Sequence, residues 1–272
     1  MPTLPLWIPP NQRRLQSHMH AFMRELQNTH APLIDDYSDL YQWSIDHPAT
    51  FWQAVWDYTN IRAHTPAHTV MKQSHRLQDT RWFVGATLNY AEQCLRHNPE
   101  SLAIDGLHEN GTRTTFTYGE LSQQVAAVSY QLREWGIQPG DVVVGILGDT
   151  AETIIAMLAC ASVGAIWSGV SPDIGEQGIL ERYSLIQPRV LFTVTTHHYG
   201  GKVFHHCDKI ERIIQQLPSL IHVVQVPYLQ TTHPLTASIT VTPWEEVLSQ
   251  PHPKAITFTP VAFDAPLYLL FS

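Results

Sequence analysis

Between Gly140 and Thr193 the chain alternates short, wholly apolar runs with longer stretches in which apolar residues recur every three or four positions. The runs Val142 to Ile146, Ala165 to Gly169 and Val190 to Thr193 read as buried strands, and the stretches between them as helices. The first of these helices is expected to start from a capping box, with Asp149 as cap and Glu152 as its acidic partner, and to stop at Gly164. The second carries Ile179, Tyr183 and Ile186 at helical spacing. Strands alternating with helices of this length pair in parallel through right-handed crossovers. The pattern therefore predicts an α/β fold built on a mostly parallel sheet flanked by helices.

Upstream, the pattern turns helical and aromatic. Asn11 is placed to cap a helix reaching about Asn28, with Leu15, Met19, Phe22, Met23 and Leu26 on one stripe. Two shorter helices follow around Tyr37 to Trp43 and, after Pro48, around Phe51 to Trp56. Trp82 and Phe83 precede a helix expected to carry Leu88, Ala91 and Leu95. Residues 1–100 are thus read as a helical, aromatic-rich extension packed on the core, and residues 101–272 as the α/β subdomain.

Leu102 to Thr117 predicts a hairpin turned at Asn110 and Gly111 through a type I′ turn. Thr117 and Glu120 then form a capping box, with Phe116 and Leu121 as the hydrophobic staple of a helix lined by Val125, Val128, Leu132 and Trp135. Beyond Thr193 the chain predicts a helix from about Asp208 to Gln216 and a strand over Ile221 to Val226. A Thr- and Pro-rich stretch reaches Pro243, and a last apolar strand runs from Leu267 to Phe271.

Composition narrows the function. A formal charge of −8 with sixteen Lys and Arg, none in a long run, argues against nucleic acid or an anionic membrane as partner and towards small-molecule chemistry. Cys94, Cys160 and Cys207 share no disulfide or metal spacing, which fits a cytoplasmic setting. The Pro-rich start, with Pro2, Leu4 and Pro5, shows no signal-like or membrane-spanning run. Among sixteen histidines the densest group is His197, His198, His205 and His206 beside Cys207, while Pro66 separates His64 from His68. No zinc spacing matches, so no metal ligand is assigned.

The run FTYGELSQQVAAVSYQLREWGIQPGDVVVGILGDTAETIIAMLACASVGAIWSGVSPD, from Phe116 to Asp173, resembles the opening of the adenylate-forming acyl-CoA synthetase superfamily. Within it, PLWIPP at Pro5, LYQWSIDHPATFWQAVW from Leu40, WFVGATLNYAEQCL from Trp82, GAIWSGVSPDIGEQGILERYSLIQPRVLFT from Gly164 and YGGKV from Tyr199 are similar to the acetoacetyl-CoA synthetase family. The resemblance implies an AMP-forming acid–thiol ligase using acetoacetate, ATP with magnesium (Mg2+), and coenzyme A. It also implies that a lysine-ended phosphate loop and the adenine-, ribose- and magnesium-binding segments follow Ser272 in the remainder of the same chain. On that basis the 272 residues are expected to be a front portion, inactive alone and without catalytic residues of its own.

By position, similarity to acetyl-CoA synthetases implies a coenzyme A site at Trp167, Ser168 and Gly169 together with Tyr199, Gly201, Lys202 and Phe204. Gly169 and Gly201 would permit close backbone approach, Lys202 would meet the 3′-phosphate, and Trp167 or Phe204 would stack on adenine. Where the acetyl enzymes place two arginines, this chain has Tyr199 and Lys202. Trp167 reads equally as core at a strand end, Lys202 as a solvated turn tip, and Ser171, Pro172 and Asp173 as a helix entry. A dinucleotide-binding module is disfavoured, because no G-x-G-x-x-G joins a strand to a helix and Gly200-Gly201-Lys202 lacks P-loop spacing. A non-catalytic scaffold with a synthetase-like fold remains the alternative.

Overall fold

A computed structural model describes residues 6–29, 34–228 and 234–271; Pro2, Leu4, Pro5 and Ser272, which figure in the readings above, lie outside them. The chain divides into two compact units, residues 1–62 with 66–86 and residues 63–65 with 87–272.

The first unit contains helices α1 (Asn11–Leu15), α2 (His18–Thr29), α3 (Tyr37–Asp46) and α4 (Pro48–Tyr58), then an antiparallel pair β1 (Thr69–Lys72) and β2 (Arg81–Val84). The single helix expected from Asn11 is therefore two. Asn11 does not cap it; Pro10 stands at the cap position without a side-chain bond. Ser17 breaks the run, donating its hydroxyl to the Arg14 carbonyl at 2.7 Å and accepting from the His20 N–H at 3.2 Å. Such local bonding competes with helix continuation. Only Phe22, Met23 and Leu26 of the expected stripe are buried, whereas Leu15 and Met19 face solvent. Aromatic rings here find partners inside the unit: Phe22 packs on Phe51 and Tyr58, and Trp56 stacks on Phe83 with centroids 4.4 Å apart.

In the second unit, β3 (Thr87–Leu88) is followed by α5 (Tyr90–Cys94), so Leu88 belongs to a strand and not to the predicted helix. The helix begins later because Asn89 caps it, accepting from the N–H groups of Ala91 and Glu92. The hairpin β4 (Leu102–Leu107) and β5 (Arg113–Thr117) forms as expected, but its turn does not. Gly111 alone has positive φ, and the Gly111 N–H bonds back to the His108 carbonyl. A type I′ turn needs two left-handed residues. The connection is instead a longer loop in which Glu109 and Asn110 sit at the tip. Thr117 and Glu120 make the predicted capping box at the start of α6 (Tyr118–Glu134), whose Leu121, Val125, Val128 and Leu132 are all buried.

The hub forms as predicted: β6 (Val142–Ile146), α7 (Ala151–Val163), β7 (Ile166–Val170), α8 (Glu176–Ile186) and β8 (Val190–Thr193). One detail differs. Thr150, not Asp149, occupies the α7 cap and makes no side-chain capping bond, while the Thr153 hydroxyl donates to the Gly148 carbonyl at 2.6 Å. Gly164, left-handed at φ +83°, ends α7 as expected.

Two further strands, β9 (Thr196–Tyr199) and β10 (Lys202–His205), form an antiparallel hairpin that the sequence reading left unassigned. Next come α9 (Cys207–Gln216), β11 (His222–Gln225), β12 (Val241–Pro243), α10 (Trp244–Ser249) and β13 (Val261–Ala262), the last paired antiparallel with β3. The main sheet has the order β12-β11-β8-β6-β7 and every neighbouring pair in it is parallel. β12 arises at the end of the Thr- and Pro-rich stretch, where no periodicity is visible, and α10 follows directly after it. Pro243 is tolerated because it closes an edge strand and leads into a helix, where its missing N–H costs no ladder bond.

Successive residues of the central strands point to opposite faces. Val143 joins α6, α7 and α10 in one buried cluster, while Val144 and Ile146 join α8 and α9 in the other. The predicted strand over Leu267 to Phe271 shrinks to a single parallel bridge between Tyr268 and Trp167 on the open side of β7. The Trp167 N–H donates to the Leu267 carbonyl at 3.0 Å and its carbonyl accepts from the Leu269 N–H at 2.9 Å. The segment is short of a full strand, yet it lies parallel to β7 beside the sheet.

Candidate functional site

From β6 the chain crosses to β7 on one side, whereas β8 lies on the other side of β6 and is followed by β11 still farther out. Connections thus leave β6 and β8 in opposite directions. Ligand crevices in open α/β sheets lie at such a switch point, just beyond the carboxyl ends of the strands. A cleft of about 260 Å³ opens there. Gly148, Asp149 and Thr150 after β6, Ser171 and Asp173 after β7, and His197 and His198 on β9 supply three of its walls. The β4–β5 loop closes it with His108 and Glu109.

The hairpin β9–β10 overhangs this cleft. Gly200 and Gly201, at φ +59° and +72°, make the left-handed pair that a two-residue type I′ turn requires. A Cβ placed on either would meet nothing within 4 Å, so it is backbone conformation, not crowding, that calls for glycine. Tyr199, Gly201, Lys202 and Phe204 are exposed, Tyr199 to 73%. The Phe204 ring stacks on His197 at 5.1 Å, and His197 in turn stacks on His206 at 4.7 Å, with Nδ1 of His197 and Nε2 of His206 2.6 Å apart.

Burial, reinforced by the charges of Lys209, His197 and His205, pushes the His206 imidazole down to about 4. Burial also lowers His197, against the opposing pull of Asp173. Both rings therefore favour the neutral state at pH 7. The Asp173 carboxylate is held below its usual range, first by the Ser171 hydroxyl. Lys209 donates to the Pro172 and Ile174 carbonyls at 2.5 and 3.2 Å, and its burial lowers its own value. These contacts tie α9 to the loop after β7 and give the cleft a fixed wall.

The seven residues proposed for a nucleotide site do not gather as one surface. Trp167 is buried, its indole lying over Gly145, where a Cβ would sit 2.8 Å from the ring. Ser168 is fully buried and donates to the Leu269 carbonyl at 2.7 Å. Neither side chain faces solvent, so stacking of Trp167 on an adenine is excluded in this conformation, and Ser168 serves the terminal segment. Gly169 is exposed at the end of β7, and Tyr199, Gly201, Lys202 and Phe204 stand on the hairpin. Two contributors escaped the sequence reading. The His197–His206 pair was considered only as a metal cluster, and Glu109 lies 92 positions from the turn whose Gly201 N–H it accepts at 3.3 Å. No local signal marks a partnership across that separation.

Residues 91–272 match the family model described as AMP-binding enzyme, and residues 37–94 that of the acetyl-coenzyme A synthetase N-terminus. The chain is 39% identical over 230 residues to an acetoacetyl-CoA synthetase of Danio rerio, covering 83% of this chain and 34% of that protein. It is 34% identical over 277 residues to one of Gallus gallus, covering 98% and 41%. The solved structure of acetoacetyl-CoA synthetase from Streptomyces lividans superposes with a TM-score of 0.92 at 34% identity, covering 99% of this chain and 41% of that one. The chain thus spans between 34% and 41% of the length of these curated relatives. With a family match over two thirds of its length and the parallel sheet and crossovers that go with it, the chain belongs to the AMP-binding enzyme family.

Proposed function

We propose that this chain is the N-terminal part of an AMP-forming acid–CoA ligase that converts acetoacetate, ATP and coenzyme A into acetoacetyl-CoA, AMP and diphosphate through an acyl-adenylate. The observation that supports it most is the superposition of 99% of the chain on an acetoacetyl-CoA synthetase. In such a reaction the carboxylate attacks the α-phosphorus of ATP, diphosphate leaves, and the thiol of coenzyme A then displaces AMP from the mixed anhydride. Both steps need cationic and N–H groups aimed at developing oxyanions. Those groups are assigned to the remainder of the full-length protein.

The role proposed for the present residues is to hold the coenzyme A nucleotide against the hairpin. Gly169 and Gly201 leave room for the ligand backbone, Lys202 offers a point charge, and Phe204 offers a ring. Magnesium is not placed on these residues: among the described ones no group of three or more His, Cys, Asp or Glu could hold a metal ion, so no step is assigned to it here. Among the described residues no helix is long and apolar enough to cross a membrane; what supports the cytosolic assignment proposed here is the cysteine usage, which shows no disulfide spacing.

Calorimetric titration of the 272-residue chain with coenzyme A tests the reading. Binding that weakens in Lys202→Ala supports it, and absence of heat at millimolar ligand with the fold intact counts against it. The same sample should release no diphosphate with acetoacetate and ATP. Turnover from pure chain would overturn the division of labour.

A further inference from the structure

The β4–β5 loop and the β9–β10 turn meet across the mouth of the cleft, where the Gly201 N–H donates to Glu109 Oε1 at 3.3 Å. Glu109 shares that cleft with Asp149 and Asp173, and with Tyr199 from the hairpin itself. The space around Gly200 and Gly201 is otherwise open. A left-handed glycine pair with free surroundings is a place where a ligand anion can approach backbone N–H groups closely. In the unliganded chain one of those groups already holds an anion, and that anion belongs to the protein.

We infer that Glu109 is a built-in competitor at this site: its carboxylate occupies the hairpin turn until an anionic ligand displaces it, and so sets the affinity of the turn for phosphate-bearing ligands. The inference rests on the proposed coenzyme A reading of the same hairpin. Two effects act together. Displacement costs the ligand the Gly201–Glu109 hydrogen bond, and the freed carboxylate remains close enough to repel it. Replacing Glu109 by Gln removes the repulsion and leaves only a neutral, weaker acceptor at the turn, at an exposed position where charge effects are small but measurable.

The test is a titration of coenzyme A into wild type, Glu109→Gln, Asp149→Asn and Lys202→Ala chains at low and high salt. Glu109→Gln should bind roughly two- to fivefold more tightly, a gain typical of removing one exposed like charge, and the gain should shrink near 0.5 M salt. Asp149→Asn, which removes an equal charge from the same cleft, should gain less. Hydrogen exchange at the Gly201 amide should accelerate without ligand in Glu109→Ala, which lacks the acceptor oxygen that glutamine keeps. If wild type binds, Lys202→Ala weakens binding and Glu109→Gln leaves it unchanged, the competitor is refuted while the coenzyme A site stands. Equal gains in Glu109→Gln and Asp149→Asn refute a specific contact in favour of net charge. If neither wild type nor Glu109→Gln binds, the site reading falls and the competitor with it.

Discussion

Asn89 makes the sharpest stability test of the second unit. Its side chain is completely buried and serves two elements at once. The oxygen accepts from the Ala91 and Glu92 N–H groups at 3.0 and 3.4 Å, starting α5. The nitrogen donates to the carbonyls of Ala161, Ser162 and Thr259 at 2.9, 3.2 and 2.9 Å, closing the carboxyl end of α7 onto the segment before β13. The Ala161 carbonyl also accepts from the Gly164 N–H, and the Ser162 carbonyl from Thr259 N–H and Arg133. Thr259 therefore loses most when the amide is removed.

Asn89→Ala forfeits a helix cap, worth about 1 kcal/mol, and strips the half-buried Thr259 carbonyl of its Asn89 donor, worth about 1–3 kcal/mol. The expected destabilisation is roughly 2–4 kcal/mol. Asn89→Asp separates the two roles, because aspartate caps as well as asparagine but presents oxygens to three carbonyls. It should be at least as destabilising as alanine at pH 8. It should recover partly near pH 5, where a protonated carboxyl regains one donor. Urea unfolding followed through the buried Trp167 and Trp244 reads this out. An Asn89→Asp chain within about 0.5 kcal/mol of wild type at pH 8 would show that capping alone matters and that the amide bonds to α7 contribute nothing.

Other substitutions probe the site and its supports. Gly145→Ala places a methyl 2.8 Å from the Trp167 ring and should cost about 1–3 kcal/mol in urea titration, whereas no loss would mean that the indole is free to move. Trp167→Phe should lower the unfolding midpoint yet leave coenzyme A affinity unchanged, while Phe204→Ala should weaken binding with little change in stability; the reverse result would return the stacking role to Trp167. His206 titrates near 4 in the folded chain against about 6.5 when unfolded, so the unfolded state binds more protons between those values. Stability should therefore fall as pH drops through that window, and His206→Gln should flatten the acid limb; parallel limbs in the two proteins would refute the assignment.

The hub was legible because its evidence is local. Val142 to Ile146 and Val190 to Thr193 carry their strand identity in composition, and Thr117 with Glu120 carries the start of α6 in three residues. Features that depend on distant partners were not legible. β12 exists because β11 offers Val223 to Gln225 as a template, and nothing within Val241–Pro243 announces it. The hairpin turn was a different failure. Asn110-Gly111 carries the sequence signature of a type I′ turn, but the two left-handed residues that turn needs occur at Gly200-Gly201, in a hairpin the sequence reading left unassigned. Gly-Gly suits two consecutive left-handed residues at least as well as Asn-Gly.

The division of the nucleotide-site residues follows from one glycine. A glycine inside an apolar strand has no side chain to pack, and it commonly marks the close approach of another group. Gly145 interrupts Val142–Ile146 for that reason: it is in register with Gly169 on β7, and the indole of Trp167, two residues earlier on the same strand, lies over it. With Trp167 sealed against Gly145 and Phe192, and its backbone bonded to Leu267 and Leu269, β7 serves chiefly to carry the terminal segment. Of the proposed contacts, the exposed ones are then Gly169 and the hairpin, where Lys202 and Phe204 are open and Glu109 accepts from the Gly201 N–H. Under the proposed coenzyme A reading, the contacts therefore fall mainly on β9–β10, and the proposed competitor Glu109 comes from a second hairpin far away in sequence.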